Sequence, residues 1–228
     1  MKTLWPLCVL IIAAFFCLAS RYKPSTIEDF ANLATFQEAN LKLQASPTAV
    51  FIGDSITALW GLSASFHEKN YENRGIGWQT SQQVLLRMHQ DVVQLHPRSV
   101  IISVGTNDLA GVTGNSSIEQ IEANYEGMYE IASSNGIHVA FASVLPVHEY
   151  TNKAKSVHVL ATHPIEKIRA LNSWLQEFCE HKQLTYLDYF SPMVDHNGFL
   201  RPELSDDGIH PNKKGYEIMT SVVSGAGL

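Results

Sequence analysis

Short apolar runs and segments of helical periodicity alternate along most of this chain. The runs that we predict as strands are residues 49–52, 71–74, 100–104, 137–142 and 184–188. Apolar residues recur every three or four positions in the stretches that we predict as helices, within residues 85–95, 118–128 and 165–178. Strands that are apolar on both faces and alternate with helices are typical of a parallel sheet covered on each side. The pattern therefore predicts an α/β fold built from βαβ units.

The first 20 residues have the pattern of a targeting segment. Lys2 precedes an almost wholly apolar run over residues 4–19, and the small residues Ala19 and Ser20 suit a cleavage site. The run is also close to the lower limit of about 17 residues for a membrane-spanning helix. We predict that residues 1–20 are a signal peptide or an N-terminal membrane anchor. The rest of the chain is then exported, as a periplasmic, extracellular or membrane-anchored protein facing outside the cytoplasm.

A helical lead-in is predicted for residues 21–47, in front of a single domain over residues 48–228. The expected helix covers residues 27–43 and is amphipathic, with apolar residues at roughly helical spacing at Phe30, Leu33, Ala34 and Leu41. Pro47 follows it, and proline is common just beyond the end of a helix.

Composition and charge narrow the range of functions. Hydrophobic residues make up 45% of the chain and charged residues 17%, as in ordinary folded proteins. The formal net charge of -6 offers no basic surface for phosphate backbones, so we expect no nucleic-acid partner. Cys8 and Cys17 lie in the targeting segment, which leaves Cys179 in the domain. No Cys/His spacing predicts a zinc site.

Ser55 directly follows the predicted strand 49–52, in the segment Gly53-Asp54-Ser55. Ligands of open α/β sheets bind outside the carboxyl ends of the strands, so this serine is a candidate nucleophile. The simpler alternative is a helix cap, because serine commonly precedes a helix. Both can hold, since N–H groups at a helix start can also stabilise an oxyanion.

Asp207 and His210 could supply the base that a serine nucleophile needs. A carboxylate on the second nitrogen of an imidazole fixes its tautomer and stabilises its positive charge. Two intervening residues let one turn supply both groups, with Asp206 as the adjacent rival. The alternative is an ordinary surface turn. We interpret the other histidines as structural or surface residues and expect His148 and His163 near the site.

Asn107 is the third candidate, in the segment Gly105-Thr106-Asn107-Asp108 after the predicted strand 100–104. Its side-chain amide is a neutral donor suited to a developing oxyanion, and the preceding glycine permits a tight turn. The alternative is an Asx-turn or a helix cap.

Four ordered blocks resemble those of the SGNH hydrolases, also called the GDSL esterase/lipase family. They are residues 53–55, 73–77, 105–108 and 207–210, and the resemblance extends from about residue 48 to residue 219. It implies a three-layer α/β/α sandwich with a flavodoxin-like, mostly parallel five-stranded sheet. It also implies a hydrolase that cleaves esters through an acyl-enzyme without a metal or organic cofactor, and it makes residues 48–228 an SGNH hydrolase domain.

The same resemblance implies roles for single residues. Ser55 matches the nucleophile, His210 the base and Asp207 its partner, while Asn107 and the Ser55 backbone N–H match oxyanion donors. The family usually has a second glycine where this chain has Gly77-Trp78, and that glycine donates its backbone N–H to the oxyanion. Trp78 keeps an N–H, but a bulky residue is costly at positive φ. Either Gly77 or Trp78 donates with a shifted loop, or the oxyanion hole is weaker.

The expected substrate is a small-molecule or glycan ester. The stretch 146–164, after the fourth strand, is polar enough to face a carbohydrate, with Tyr150, Lys153, Lys155, His158 and His163. No long apolar insertion predicts a lid for long acyl chains, which favours short acyl or O-acetyl esters. Lysophospholipid or thioester hydrolysis remains an alternative, particularly for a membrane-tethered domain. A second alternative is a non-catalytic glycan-binding module, supported by Trp78.

Overall fold

Five strands form one sheet in the computed structural model, which describes residues 29–228. The strands are β1 (Ala49–Gly53), β2 (Tyr71–Gly75), β3 (Ser99–Ser103), β4 (His138–Ala142) and β5 (Thr185–Leu187). Their order is β2-β1-β3-β4-β5, and all neighbouring pairs are parallel. This is the flavodoxin-like order. The predicted α/β fold with a parallel five-stranded sheet is confirmed, and each strand ends within one residue of its predicted bounds.

Helices cover both faces of this sheet. They are α1 (Ala34–Leu41), α2 (Ser55–Ala58), α3 (Leu62–Ser65), α4 (Ser81–Asp91), α5 (Thr106–Leu109), α6 (Ile118–Ser134), α7 (Asn152–Ser156), α8 (Val159–Thr162), α9 (Ile165–Lys182) and α10 (Lys213–Gly225). Single 3-10 turns cover Val93–Leu95, Ser191–Met193 and Pro202–Leu204. Contacts between residues group the chain into two compact units, with the boundary after Phe30. All of these helices and strands belong to the unit of residues 31–228.

The side chains of β1 show how the core divides into two layers. Val50 and Ile52 join the apolar cluster that includes residues of α4, α6 and α9. Ala49 and Phe51 join the cluster that includes residues of α10. Successive side chains of a strand point to opposite faces, so a strand buried on both faces is apolar throughout. The predicted three-layer sandwich follows from this alternation.

The lead-in helix is shorter than predicted and is attached by polar contacts. No residue of α1 is buried, and Leu41 is 84% exposed. Asn40 on α1 donates from Nδ2 to Asp91 Oδ1 at 2.8 Å, and its Oδ1 accepts from Arg74 Nε at 2.8 Å. These hydrogen bonds attach α1 to β2 and α4.

The predicted targeting segment, residues 1–20, lies outside the described residues. Within residues 29–228, no helix is both long and apolar enough to span a membrane.

Candidate active site

Ser55 is the first residue of the short helix α2, directly beyond the end of β1. The residue that caps α2 is Asp54, whose Oδ1 accepts a hydrogen bond from the Ile56 N–H at 2.9 Å. The alternative in which Ser55 serves as the helix cap is therefore not the observed one. Because Asp54 performs the capping, the Ser55 hydroxyl is free to contact other groups.

The Ser55 hydroxyl lies at the end of a hydrogen-bond chain with His210 and Asp207. Ser55 Oγ is 2.9 Å from His210 Nε2, and His210 Nδ1 is 2.9 Å from Asp207 Oδ2. An ionised carboxylate only accepts hydrogen bonds, so His210 Nδ1 carries the proton and Nε2 accepts from the Ser55 hydroxyl. The geometry is the one that lets an imidazole take a proton from a serine.

The Asp207 carboxylate is held by the turn that it begins. Its Oδ1 accepts from the backbone N–H groups of His210 at 2.8 Å and Ile209 at 3.0 Å. Burial alone would raise the pKa of Asp207, but these donors and the His210 ring outweigh it and hold the pKa well below its usual value. Asp207 is therefore ionised at neutral pH, and it is Asp207, not its rival Asp206, that faces His210.

Gly208 allows this turn to form. Its φ is +89°, a conformation that favours glycine, and a Cβ at this position would lie 2.2 Å from the His148 carbonyl oxygen. His148, which we expected near the site, is fully buried behind the turn, with its Nε2 3.2 Å from the Ser205 carbonyl oxygen.

A cleft of about 150 Å³ opens beside the Ser55 hydroxyl. Its lining consists of Ser55, Trp78, Thr106, Asn107, Ala110, Val112, His163, Ile209 and His210. The structure thus brings most of the predicted site residues to one place, at the carboxyl ends of β1 and β3. Gly77 is not part of the lining, although a Cβ at Gly77 would lie 3.9 Å from Ser55 Cβ.

Asn107 is buried on α5, and its Nδ2 donates to the Gln79 carbonyl oxygen at 3.0 Å. An amide nitrogen carries two hydrogens, so this bond orients the side chain and leaves one donor for a ligand. Asn107 is part of α5, whose N-cap is Gly105.

Trp78 has a φ of +68°, in the left-handed region. Trp78 thus adopts the positive φ that the family's glycine would adopt, although this conformation is costly for a bulky residue. Such a conformation costs of order 1–3 kcal/mol for a residue other than glycine. The neighbouring structure therefore imposes this conformation, and the indole is left 74% exposed at the cleft.

Asp54 is buried beside Ser55, and its Oδ2 has no hydrogen-bond partner among the described residues. Burial, with a contribution from the charge of Asp108, raises the pKa of Asp54 to about 7, although the Ile56 N–H opposes this. Asp54 was not among the site residues predicted from the sequence. Its signal was the position directly before a helix, which favours a capping carboxylate.

A buried ion pair behind the cleft was also missed. Arg87 Nη1 lies 2.6 Å from Asp91 Oδ2, and both side chains are fully buried. Arg87 Nε donates to Gln79 Oε1 at 2.8 Å, and the Gln79 carbonyl in turn holds Asn107. Arg87 and Asp91 lie three and seven residues after buried Val84, on the same face of α4, but their i, i+4 spacing does not by itself indicate burial.

Within the described part of the chain, no three His, Cys, Asp or Glu side chains are grouped so that they could hold a metal ion.

Residues 51–218 match the model of the GDSL-like lipase/acylhydrolase family. The chain belongs to this family, so the resemblance is confirmed.

Two solved structures and one curated protein illustrate the similarity. A GDSL-like lipase from Bacteroides thetaiotaomicron is 34% identical, with a TM-score of 0.78 over 86% of this chain and 97% of that one. A candidate acylhydrolase from Bacteroides fragilis is 32% identical, with a TM-score of 0.80 over 87% and 97%. An N-acylneuraminate cytidylyltransferase from Streptococcus agalactiae is 27% identical over 196 residues, which are 86% of this chain. The chain spans 42% of the length of that relative.

Proposed function

We propose that the chain hydrolyses short acyl esters, such as O-acetyl groups on a carbohydrate or another small alcohol, with Ser55 as the nucleophile. The observation that carries this proposal is the continuous chain of 2.9 Å hydrogen bonds from Ser55 through His210 to Asp207, at the edge of a cleft. A fully buried set of groups would serve stability alone, whereas this set borders a space that a substrate can enter.

In the proposed first step, His210 Nε2 takes the hydroxyl proton as Ser55 Oγ attacks the ester carbonyl carbon. Asp207, ionised at neutral pH, stabilises the imidazolium that forms. The tetrahedral intermediate collapses when His210 returns the proton to the leaving oxygen, which releases the alcohol and leaves an acyl-Ser55. Water then attacks the acyl-enzyme by the same route and releases the acid.

The negative charge of the tetrahedral intermediate needs nearby hydrogen-bond donors. We assign this role to the Ser55 backbone N–H, the free amide hydrogen of Asn107, and a backbone N–H of the loop Gly77-Trp78. The support is that Ser55, Trp78 and Asn107 border the same cleft and that Asn107 is fixed by Gln79. Trp78 is the better loop candidate, since Gly77 does not line the cleft.

The size of the cleft supports a short acyl group. The cleft measures about 150 Å³, which is below the roughly 300–1,000 Å³ of typical small-molecule pockets. An acetyl group fits, whereas a long fatty acyl chain would have to extend beyond the cleft. Ala110, Val112 and Ile209 give this space an apolar lining that suits an acyl methyl group.

Two measurements test the proposal. A fluorophosphonate probe is expected to label the wild-type protein but not Ser55→Ala, with circular dichroism as the control for folding. The wild-type protein is expected to hydrolyse 4-nitrophenyl acetate with a higher kcat/KM than 4-nitrophenyl palmitate. Full hydrolysis by Ser55→Ala would disprove the assignment of the nucleophile. Folded wild-type protein that is neither labelled nor active would favour the non-catalytic glycan-binding module.

Export remains a separate proposal. It is supported by the apolar run over residues 4–19, and a cleaved signal peptide and a membrane anchor both agree with it. Cell fractionation with N-terminal sequencing of the recovered protein distinguishes the two forms. Recovery of the intact chain in the cytoplasmic fraction would contradict export.

A further inference from the structure

The exposed indole of Trp78 calls for a functional explanation. Its backbone has a positive φ of 68°, which disfavours any residue with a large side chain, and 74% of the residue is exposed to solvent. Neither feature stabilises the folded chain. Strained residues of this kind concentrate at ligand sites, and exposed aromatic faces bind ligands by stacking. The indole borders the same cleft as Ser55, so a bound substrate is the group that it can contact.

His163 is the second unusual group in the cleft. It is only 7% exposed, and its Nδ1 lies 3.3 Å from the Val159 carbonyl oxygen and 2.9 Å from Thr162 Oγ1. A carbonyl oxygen can only accept, so the Nδ1 atom carries the ring proton and Nε2 is left as an acceptor. Burial lowers the pKa of His163, and the charge of His210 adds to this, so the ring is neutral. No hydrogen-bond partner of Nε2 exists among the described residues.

Trp78 and His163 line the cleft together with Ser55 and His210, where the ester would react. In the proposed reaction His210 returns a proton to the leaving oxygen, and His163 lies close enough to His210 for their charges to interact. Trp78 is exposed and borders the cleft, and Ala110 and Val112 add an apolar lining that suits the acyl methyl group. An alcohol that leaves past His210 therefore meets an acceptor nitrogen and an aromatic face.

We propose that Trp78 and His163 form a subsite for a leaving alcohol that has a saturated ring and a free hydroxyl group next to the ester. The ring packs on the indole, and the hydroxyl donates to His163 Nε2. This inference rests on the proposed hydrolysis and narrows its substrate class to monoacylated cyclic polyols, the chemistry of a partly acetylated sugar.

Three acetates separate the two contributions. Ethyl acetate has no ring, cyclohexyl acetate adds the ring, and trans-2-hydroxycyclohexyl acetate adds the neighbouring hydroxyl. The ratio of kcat/KM for cyclohexyl acetate to that for ethyl acetate reports on the ring. The ratio of kcat/KM for trans-2-hydroxycyclohexyl acetate to that for cyclohexyl acetate reports on the hydroxyl. Each ratio cancels any change in the oxyanion hole, because all three substrates share the acetyl carbonyl.

Matched variants assign each ratio to one residue. Trp78→Gly is expected to lower the ring ratio about three- to tenfold, and Trp78→Asn should do the same, since asparagine tolerates positive φ but lacks the ring. Trp78→Phe should keep most of the ratio. His163→Leu is expected to lower the hydroxyl ratio about tenfold, whereas His163→Gln keeps an acceptor and should restore most of it. Unchanged ratios in Trp78→Gly and His163→Leu would overturn the subsite.

A binding measurement separates failure of the subsite from failure of the proposed hydrolysis. In the Ser55→Ala protein, trans-1,2-cyclohexanediol is expected to shift the indole N–H resonance of Trp78, and His163→Leu should weaken this binding about tenfold. A shift that depends on His163 supports the subsite even if no ester is cleaved. Absence of any shift at high diol concentration would overturn it, whether or not the wild-type protein cleaves acetates.

Discussion

Asp54→Asn tests how the buried carboxyl beside Ser55 affects stability. The substitution keeps the oxygen that accepts from the Ile56 N–H but removes the ionisable group. The pKa of Asp54 rises from 3.8 to about 7 in the folded protein, because burial disfavours the charged form. Between these two values the folded chain keeps a proton that the unfolded chain has lost.

The direction and size of the effect follow from this difference. When the folded state binds more protons than the unfolded state, the free energy of unfolding falls as pH rises. A shift of about three pKa units corresponds to about 4 kcal/mol, lost between about pH 4 and pH 7 and constant above that range. The asparagine side chain of the variant does not titrate, so the variant is expected to gain about 4 kcal/mol relative to wild type as pH rises from about 4 to about 8.

Urea unfolding, followed by tryptophan fluorescence at several pH values, measures this gain. Burying the asparagine amide costs about 1–3 kcal/mol at every pH. This cost lowers the free energy of unfolding of the variant by the same amount throughout and does not change how that free energy varies with pH. His163 and Asp207 titrate in both proteins, so their contributions cancel in the difference between the curves. Asp206→Asn, at an exposed position, controls for the loss of a carboxylate. Parallel curves for wild type and Asp54→Asn would refute a neutral, buried Asp54.

Three further predictions concern other groups. Asn107→Ala is expected to lower kcat for 4-nitrophenyl acetate about 10²- to 10³-fold in steady-state kinetics; a change in KM alone would contradict its role as an oxyanion donor. Arg87→Met leaves Asp91 buried without its charged partner and should lower the free energy of unfolding by about 3–5 kcal/mol, while adding Asp91→Leu should recover most of it. Equal losses in the single and double variants, measured by urea unfolding, would show that the charge imbalance is not the cause. Burial raises the pKa of Cys179 to about 12, so iodoacetamide should alkylate Cys179 only after unfolding, as followed by peptide mass spectrometry. Rapid alkylation of the folded protein would contradict this.

The strands could be predicted because a strand that is buried on both faces is a short, continuous run of apolar residues. A strand such as β1, with all five residues buried, must be apolar at every position, and short apolar runs between helical segments have few other interpretations. The lead-in helix was predicted less well. Its apolar residues suggested a packed face, but hydrogen bonds of Asn40 attach it, and side-chain polarity alone does not reveal such partners.

Ser55, Trp78 and Asn107 were predictable because they follow strands whose carboxyl ends lie at one edge of the sheet, whereas Asp207 and His210 were predictable from their spacing in one turn. Two features could not be predicted from the sequence. The positive φ of Trp78 is imposed by its surroundings, against the local preference of the residue. The Arg87–Asp91 pair has the i, i+4 spacing of an ordinary exposed ion pair, and only the packing of α4 shows that it is buried.

The hydrogen bond between Ser55 and His210 joins residues 155 positions apart in the chain. Contacts of such large sequence separation are costly in chain entropy. The nucleophile is therefore made early in synthesis, while its base is made near the end. A newly synthesised chain then holds an unactivated serine until its last segment has folded onto the rest. Reaction with a serine-directed probe would accordingly report completion of folding, and could be used to time it.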